Sequence, residues 1–454
     1  MHASWCPLPW LSQNIRNNGD MRICDHSHHG LDNGLLRKSN GTVFNAEFDD
    51  IDVARNSEML RSLRTSILSG EWHPACKRCM EEQKSGLPSR NQNEARLWSD
   101  YLTFDQAKIL TEADGTVDVS TSPIRHYGVR FGNRCNQKCR SCGPTESDFW
   151  YQDYIDVWKT DKFRDGNQTI RLITNDRGKL VPDTDLYTWY EQDTFWKHVR
   201  SNAKNIRMIH MVGGEPMLIE KQYEFLSICI DLGIARDIIV EYNSNILKIP
   251  SKAWELWPHF KEVRIGASID GIGAINDYIR HPSRWSSISD HLTRFDTDTT
   301  INFNVWIGST VMIYNIWYLP DILEWFLLRK FQRIGWTPGS PLIFFHPLYR
   351  PSYLCARALP HDIKRKVAAR FSASKGRLLD KVANLYAPDD HRFEALTRGI
   401  PEHLDKWAHW LLAEHVDGPM EKFWQYTDRL DALRSEDMSD VMPEWHEVLR
   451  GGNR

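Results

Sequence analysis

Arg134-Cys135-Asn136-Gln137-Lys138-Cys139-Arg140-Ser141-Cys142-Gly143 holds three of the nine cysteines of the chain in the spacing C-x3-C-x2-C. The surround is polar and Gly-flanked, and no fourth Cys lies nearby. Three thiolates on one loop can hold three irons of a cubic 4Fe-4S cluster, which leaves the fourth iron open to a substrate or cofactor. A structural zinc site would want four closed ligands, commonly as two C-x2-C pairs, and this loop has no second pair to complete it. The segment therefore reads as a reactive centre. The run 127–131 just before it is strand-like, which makes the triplet a loop at a strand end.

Working outward, the 454 residues carry 57 Lys plus Arg against 60 Asp plus Glu, a formal charge of −3. That balance gives no reason to propose general nucleic-acid or anionic-membrane binding, which a marked cationic excess normally signals. With 41% hydrophobic and 26% charged residues the composition is that of a folded soluble protein. Residues 1–19 lack a cationic flank followed by an apolar core, and the most apolar later stretch, 313–328, contains Pro320, Asp321 and Glu324. No membrane span is expected, and the expected location is cytoplasmic. Nine cysteines without a secretion signal point to metal or catalytic use and away from a disulfide framework.

Downstream, 206–212 is strand-like and runs into Gly213-Gly214-Glu215-Pro216. A helix at 220–232 follows, with Tyr223, Leu226, Cys229 and Ile230 on one face and Gly233 as its stop. Cys229 on that face reads as core. Further strands are expected at 237–242, ending in Asn243-Ser244-Asn245, and at 262–267, ending in Ser268-Ile269-Asp270-Gly271 with Arg280 beyond. A fifth alternates Ile301, Phe303, Val305 and Ile307 and continues toward Asn315, and a sixth covers 342–345.

The triplet with these strand ends resembles the radical S-adenosylmethionine (SAM) enzymes. The resemblance implies a 4Fe-4S cluster on Cys135, Cys139 and Cys142 whose fourth iron is chelated by SAM. It implies reductive cleavage of SAM to a 5′-deoxyadenosyl radical that abstracts hydrogen from substrate. It further implies SAM contacts from the GGE-type motif Gly213, Gly214, Glu215 and Pro216, from Asn243, Ser268 and Asp270, from Arg280 toward the SAM carboxylate, and from Asn315 near the adenine. Arg suits a carboxylate because its planar fork can form two bonds. One departure is visible: the family usually has a bulky apolar residue before the third Cys, and here it is Ser141. The implied fold is α/β, a partial (β/α)6 TIM-like barrel with active groups at the C-terminal strand ends.

A second set, Cys6, Cys24, Cys76 and Cys79, precedes the barrel. Gly19 stands five positions before Cys24, and a helix-like 53–69 with Leu60, Leu63 and Ile67 on one face leads to Cys76-Lys77-Arg78-Cys79. This resembles the auxiliary-cluster extension called SPASM, in its shorter one-cluster form, twitch, here placed first in the chain. Four Cys suffice for one closed auxiliary 4Fe-4S cluster, and tetrahedral zinc is the alternative at this set. The neighbouring Asp25-His26-Ser27-His28-His29 reads as a solvated loop.

The connection from Cys142 to Met208 is rich in aromatics, among them Trp150, Trp158, Trp189 and Trp196, and serves either as a substrate lid or as extra core. Its inner part places a hairpin turn at Asn175-Asp176-Arg177-Gly178. From 356 onward the pattern is helical and carries no motif. The expected division is a Cys-rich auxiliary domain at 1–95, a linker at 96–125, the barrel at 126–355 and a helical C-terminal extension at 356–454. The expected function is radical SAM chemistry on a ribosomally made peptide, fed by an electron donor such as flavodoxin or ferredoxin. A small metabolite, such as a sugar or nucleoside precursor, is the alternative substrate, and a non-catalytic zinc or iron–sulfur scaffold the alternative class.

Overall fold

A computed structural model describes residues 2–84, 89–165, 168–336, 342–416 and 420–451, apart from the side chains of His28, His29 and Asp165. In chain order the strands are β1 (Ser12–Ile15), β2 (Met21–Arg22), β3 (His126–Phe131), β4 (Lys162–Asp165), β5 (Gln168–Thr174), β6 (Leu180–Pro182), β7 (Met208–Gly213), β8 (Ile239–Ser244), β9 (Glu262–Ser268), β10 (Phe303–Val311) and β11 (Ile343–Pro347). All six strands read from the sequence are present, as β3 and β7 to β11. The third starts at Ile239 because Ala235–Asp237 closes a 3-10 turn. Among the described residues no helix is long and apolar enough to cross a membrane.

The chain forms two compact units. The first comprises residues 1–134, 182–242 and 251–263. Its strands run in the order β2-β1-β3-β7-β8, with β1–β3, β3–β7 and β7–β8 parallel and β1–β2 antiparallel. Tyr127, Val129 and Phe131 point to one side of β3 and are buried. There Phe131 stacks on Trp196 at 5.7 Å and meets Tyr190 edge-on, while Tyr127 meets Phe195. Trp189 is fully buried and donates its indole N–H to the Asn17 carbonyl at 3.1 Å. This stretch of the aromatic connection is core, not a lid.

β1 was not legible in the sequence, because Ser12-Gln13-Asn14 looks like a polar turn. All three are buried and bonded: Ser12 Oγ pairs with His126 Nδ1 at 2.9 Å and Asn14 Nδ2 donates to Ser12 Oγ at 2.8 Å. The single helix expected at 53–69 is two, Ile51–Ala54 and Glu58–Leu68, because Asp50 caps the first and the chain turns at Ser57 before the second. Leu60, Leu63 and Ile67 are buried as the spacing requires, and Gly70, at φ +82°, ends the helix.

The second unit comprises residues 135–181, 243–250 and 264–454. β9, β10 and β11 are neighbours in that order, and β10–β11 is parallel. β10 buries every second residue, Phe303, Val305, Ile307, Ser309 and Val311. A separate small sheet orders β4-β5-β6, its hairpin turn at Asn175 to Gly178 as read. The C-terminal helices are His361–Leu385, Phe393–Ala413, Met420–Arg434, Met438–Val441 and Pro443–Gly451. They pack inward: Trp445 stacks on Trp317 at 5.2 Å and donates to the Ile313 carbonyl at 2.7 Å.

His126 titrates differently in the folded and unfolded chain. Burial, helped by the Arg90 charge, pushes it from 6.5 down to about 3. A depressed imidazole contributes stability that is complete above pH 6.5 and is lost as the pH falls toward 3. Urea unfolding between pH 7.5 and 4.5 is expected to show a loss of at most about 1.4 kcal/mol per pH unit from this residue, and His126→Asn is expected to flatten it. An unchanged slope in the variant would rule His126 out as the source.

Candidate metal centres

The triplet loop has no regular secondary structure, so its backbone groups are satisfied by side chains and neighbouring loops. Four successive carbonyls are taken. Ser147 Oγ donates to Gln137 O at 2.5 Å, Arg434 Nη2 to Lys138 O at 2.9 Å, Trp150 Nε1 to Cys139 O at 2.9 Å and Tyr426 Oη to Arg140 O at 2.6 Å. The Lys138 and Arg140 N–H groups donate to the carbonyls of His281 and Ile279, and Cys135 N–H to Asp148 Oδ1 at 3.1 Å. Asn245 Nδ2 holds Asn136 Oδ1 at 2.7 Å.

Cys135 and Cys139 are buried and Cys142 is half-buried. Cys139 and Cys142 share a hydrogen bond that lowers Cys139 to about 7 against the opposing effect of burial, with Arg280 adding to the lowering. The same bond, with burial, raises Cys142. Burial works against the charge of Arg280, yet Cys139, Asp270 and Cys142 together hold its guanidinium firmly protonated. Arg280 Nη1 donates to Asp270 Oδ2 at 2.6 Å, and its Nε is buried with no hydrogen-bond partner among the described residues. Asp270 is 1% exposed and its Oδ1 accepts from Thr310 N–H at 2.7 Å. Asn315 is fully buried and its amide is engaged with backbone: it donates to Asp270 O and Thr310 O and accepts from Met312 N–H. Ser268 ends β9 half-buried, and Asn243 is exposed on β8.

In the first unit, Gly213 and Gly214 carry a steric requirement. Gly213 sits at φ +136°, and a Cβ there would meet Phe131 N at 2.8 Å. A Cβ on Gly214 would stand 2.2 Å from Arg134 O. Glu215 N–H donates to that same carbonyl at 2.8 Å, while its buried carboxylate accepts from Met217 N–H at 3.1 Å and Pro216 opens a single 3-10 turn. The motif thus packs on residues 131–134, which lead directly into Cys135.

The sequence reading missed the ion lattice around the triplet. Arg140, between the second and third Cys, is fully buried against Asp431 at 2.5 Å and Glu436 at 2.8 Å, with its guanidinium 3.6 Å from the centre of the Tyr278 ring. Asp153 binds Lys138 at 2.7 Å and Arg434 at 2.9 Å. No local pattern announces partners almost three hundred residues away.

The four cysteines of the other set all lie in the first unit, and their thiols are within electrostatic reach of one another: Cys6 with Cys24 and Cys76, and Cys79 with Cys24 and Cys76. Burial raises each of them, Cys24 to about 11. The neighbouring run is not a solvated loop. It is a 3-10 turn, Asp25–His29, whose Asp25 forms an ion pair with Arg90. Asn91, next to Arg90, donates to the carbonyls of Ala3 and Trp5, fixing the approach to Cys6.

A polar row crosses this unit's sheet. Arg22, Asn14, Gly128, His210 and Glu241 are successive register partners on β2, β1, β3, β7 and β8. His210 Nε2 lies 3.7 Å from Glu241 Oε1. The signal was present in the sequence, since His210 and Glu241 each interrupt an apolar strand run.

No protein-family model and no curated protein matches the chain. Among solved structures, anSMEcpe with bound AdoMet is similar at 17% identity and a TM-score of 0.33, over 56% of this chain and 60% of that one. SuiB of Streptococcus suis bound to S-adenosylmethionine is similar at 11% identity and 0.33, over 75% and 66%. The same protein bound to its precursor peptide SuiA gives 12% and 0.28, over 66% and 58%. The chain spans less than two thirds of the length of each.

Arg140 tests the lattice. Arg140→Met takes the shared buried cation from the half-buried carboxylates of Asp431 and Glu436 and is expected to cost about 3 kcal/mol in urea unfolding of the iron-free protein. Arg140→Lys is expected to recover only part, because an ammonium lacks the fork that spans both acids. A loss below about 1 kcal/mol for the Met variant would show the lattice to be energetically idle.

Proposed function

We propose that the chain is a radical SAM enzyme, a partial (β/α) barrel with an N-terminal twitch-type auxiliary-cluster region, and that it modifies a ribosomally made peptide. One observation carries the reading: a pinned loop presents three thiols and no fourth, and beside two of them a half-buried Arg280 keeps a buried Nε donor with no partner among the described residues. Soft thiolates suit an iron–sulfur cluster, and a cationic fork suits a carboxylate ligand. Cys135, Cys139 and Cys142 would hold the first cluster, and Cys6, Cys24, Cys76 and Cys79 the second. Bound cluster and SAM supply one-electron reductive cleavage and a carbon radical able to abstract hydrogen.

The chain's own residues do the orienting. Arg280 offsets thiolate charge and offers its free N–H to an anion, Asp270 fixes the guanidinium, and Asn315 fixes Asp270 by its carbonyl. Asn315 is then a brace for Asp270 as well as the residue proposed near the adenine. Residues 213–216, Ser268 and Asn243 complete the proposed cofactor contacts. The peptide class rests on the twitch-like cysteine set, and the reductant would be a flavodoxin- or ferredoxin-type donor.

Anaerobically reconstituted protein given dithionite and SAM is expected to release 5′-deoxyadenosine, and Cys135→Ala is expected to release none. Cys76→Ala is expected to roughly halve the iron bound while keeping the triplet's SAM-sensitive electron paramagnetic resonance signal. Arg280→Met is expected to weaken SAM binding by about ten-fold or more, the loss of one charge-assisted pair, with Arg280→Lys in between. Equilibrium dialysis against labelled SAM reads this directly. An iron-loaded parent that neither binds SAM nor releases 5′-deoxyadenosine would sink the reading.

A further inference from the structure

The four-cysteine region holds more donors than its cysteines. Glu82 stands one helical turn beyond Cys79 on Lys77–Lys84, so both side chains lie on one side of that helix. His26, two residues after Cys24, reaches the same point from the turn Asp25–His29. Ligand atoms of His26, Cys79 and Glu82 all lie within 4.8 Å of one another. Glu82 Oε1 accepts from Arg78 Nε at 2.9 Å, but Oε2 is buried and has no hydrogen-bond partner among the described residues. A buried acceptor left without a partner is costly, and here it belongs to a carboxylate grouped with the buried Cys79 thiol. A cation at this point would satisfy the carboxylate and the thiolate together.

We propose that His26, Cys79 and Glu82 form a site for a divalent ion of the zinc class. Sulfur, imidazole nitrogen and carboxylate oxygen are the mixed set that borderline ions accept, and three protein donors leave one tetrahedral position open. The site shares Cys79 with the proposed auxiliary cluster, so the two occupancies exclude each other. It does not depend on the radical chemistry.

Cobalt(II) is the probe. The full chain, with Cys135, Cys139 and Cys142 replaced by Ala and iron removed by chelation, is titrated anaerobically with Co(II) and read by absorption. The expected spectrum has d–d bands of a four- or five-coordinate ion and a near-ultraviolet thiolate band matching one sulfur. Cys79→Ser removes that band, and His26→Gln or Glu82→Gln weakens binding by about ten-fold or more. Cys6→Ser, Cys24→Ser and Cys76→Ser leave it within about two-fold, well under one full ligand's worth. A four-sulfur band lost equally in Cys6→Ser and Cys79→Ser and unchanged in Glu82→Gln overturns the proposal, as does an absence of cobalt binding. Iron–sulfur reconstitution of Glu82→Gln separates the two readings: a cluster that assembles there without cobalt selectivity in the parent supports the four-thiolate set alone. Cobalt selectivity with no cluster in any variant sinks the auxiliary cluster and leaves the mixed site standing.

Discussion

Three thiols can serve as ligands only if the loop that carries them keeps its shape, and this loop has no helix or strand to impose one. The second unit depends on meeting that constraint. Buried carbonyls must be hydrogen-bonded, and regular structure would meet the demand internally while turning the cysteines to different sides. Here the demand is met from outside, by Ser147, Arg434, Trp150 and Tyr426 on four consecutive residues, which leaves the thiols unengaged by the backbone. Arg140 adds the charge term. A guanidinium held at zero exposure loses most of its hydration, and two carboxylates at hydrogen-bonding distance, with the ring and carbonyl of Tyr278, make its burial tolerable. The acids that do so, Asp431 and Glu436, are C-terminal, so the helical extension belongs energetically to the cysteine loop.

The same logic runs from Asn315 to the thiols. Asn315 spends both amide donors on backbone carbonyls, one of them that of Asp270; Asp270 divides its carboxylate between Thr310 N–H and Arg280; Arg280 is then held with one N–H to spare. Each link removes freedom from the next. A guanidinium suits the end of this chain because its charge survives burial, whereas a lysine there would shed its proton more readily.

Much of this was legible in the sequence and some could not be. Cysteine spacing marked out the two cysteine sets, and the alternation from Phe303 to Val311 gave β10 with its inward face, because period-two burial writes itself directly into residue order. Gly213 and Gly214 were recognisable as residues needing unusual backbone, although the atoms they approach belong to residues 131–134. β1 was hidden because its buried residues are Ser, Gln and Asn, whose burial depends on partners such as His126 that local composition does not reveal. The Asp25 turn looked solvated for the same reason: its partner, Arg90, is sixty-five residues on. Charge pairs across long separations have no period, and only the fold discloses them.

The polar row in the first unit carries the last step. Parallel strands covered on both faces normally read as unbroken apolar runs. One face of β3 and β7 obeys, with Tyr127, Val129, Phe131, Ile209 and Met211 in the aromatic core. The other departs at His210, with Glu241 in register on β8 and Gly128, Asn14 and Arg22 in register on the other side. Apolar side chains at those positions would stabilise the sheet at lower desolvation cost, so stability does not explain them. What such a row supplies is fixed geometry: His210 Nε2 lies 3.7 Å from Glu241 Oε1 and Asn14 Nδ2 donates to Ser12 Oγ at 2.8 Å, so register on this face is set by charge and hydrogen bonding as well as by packing.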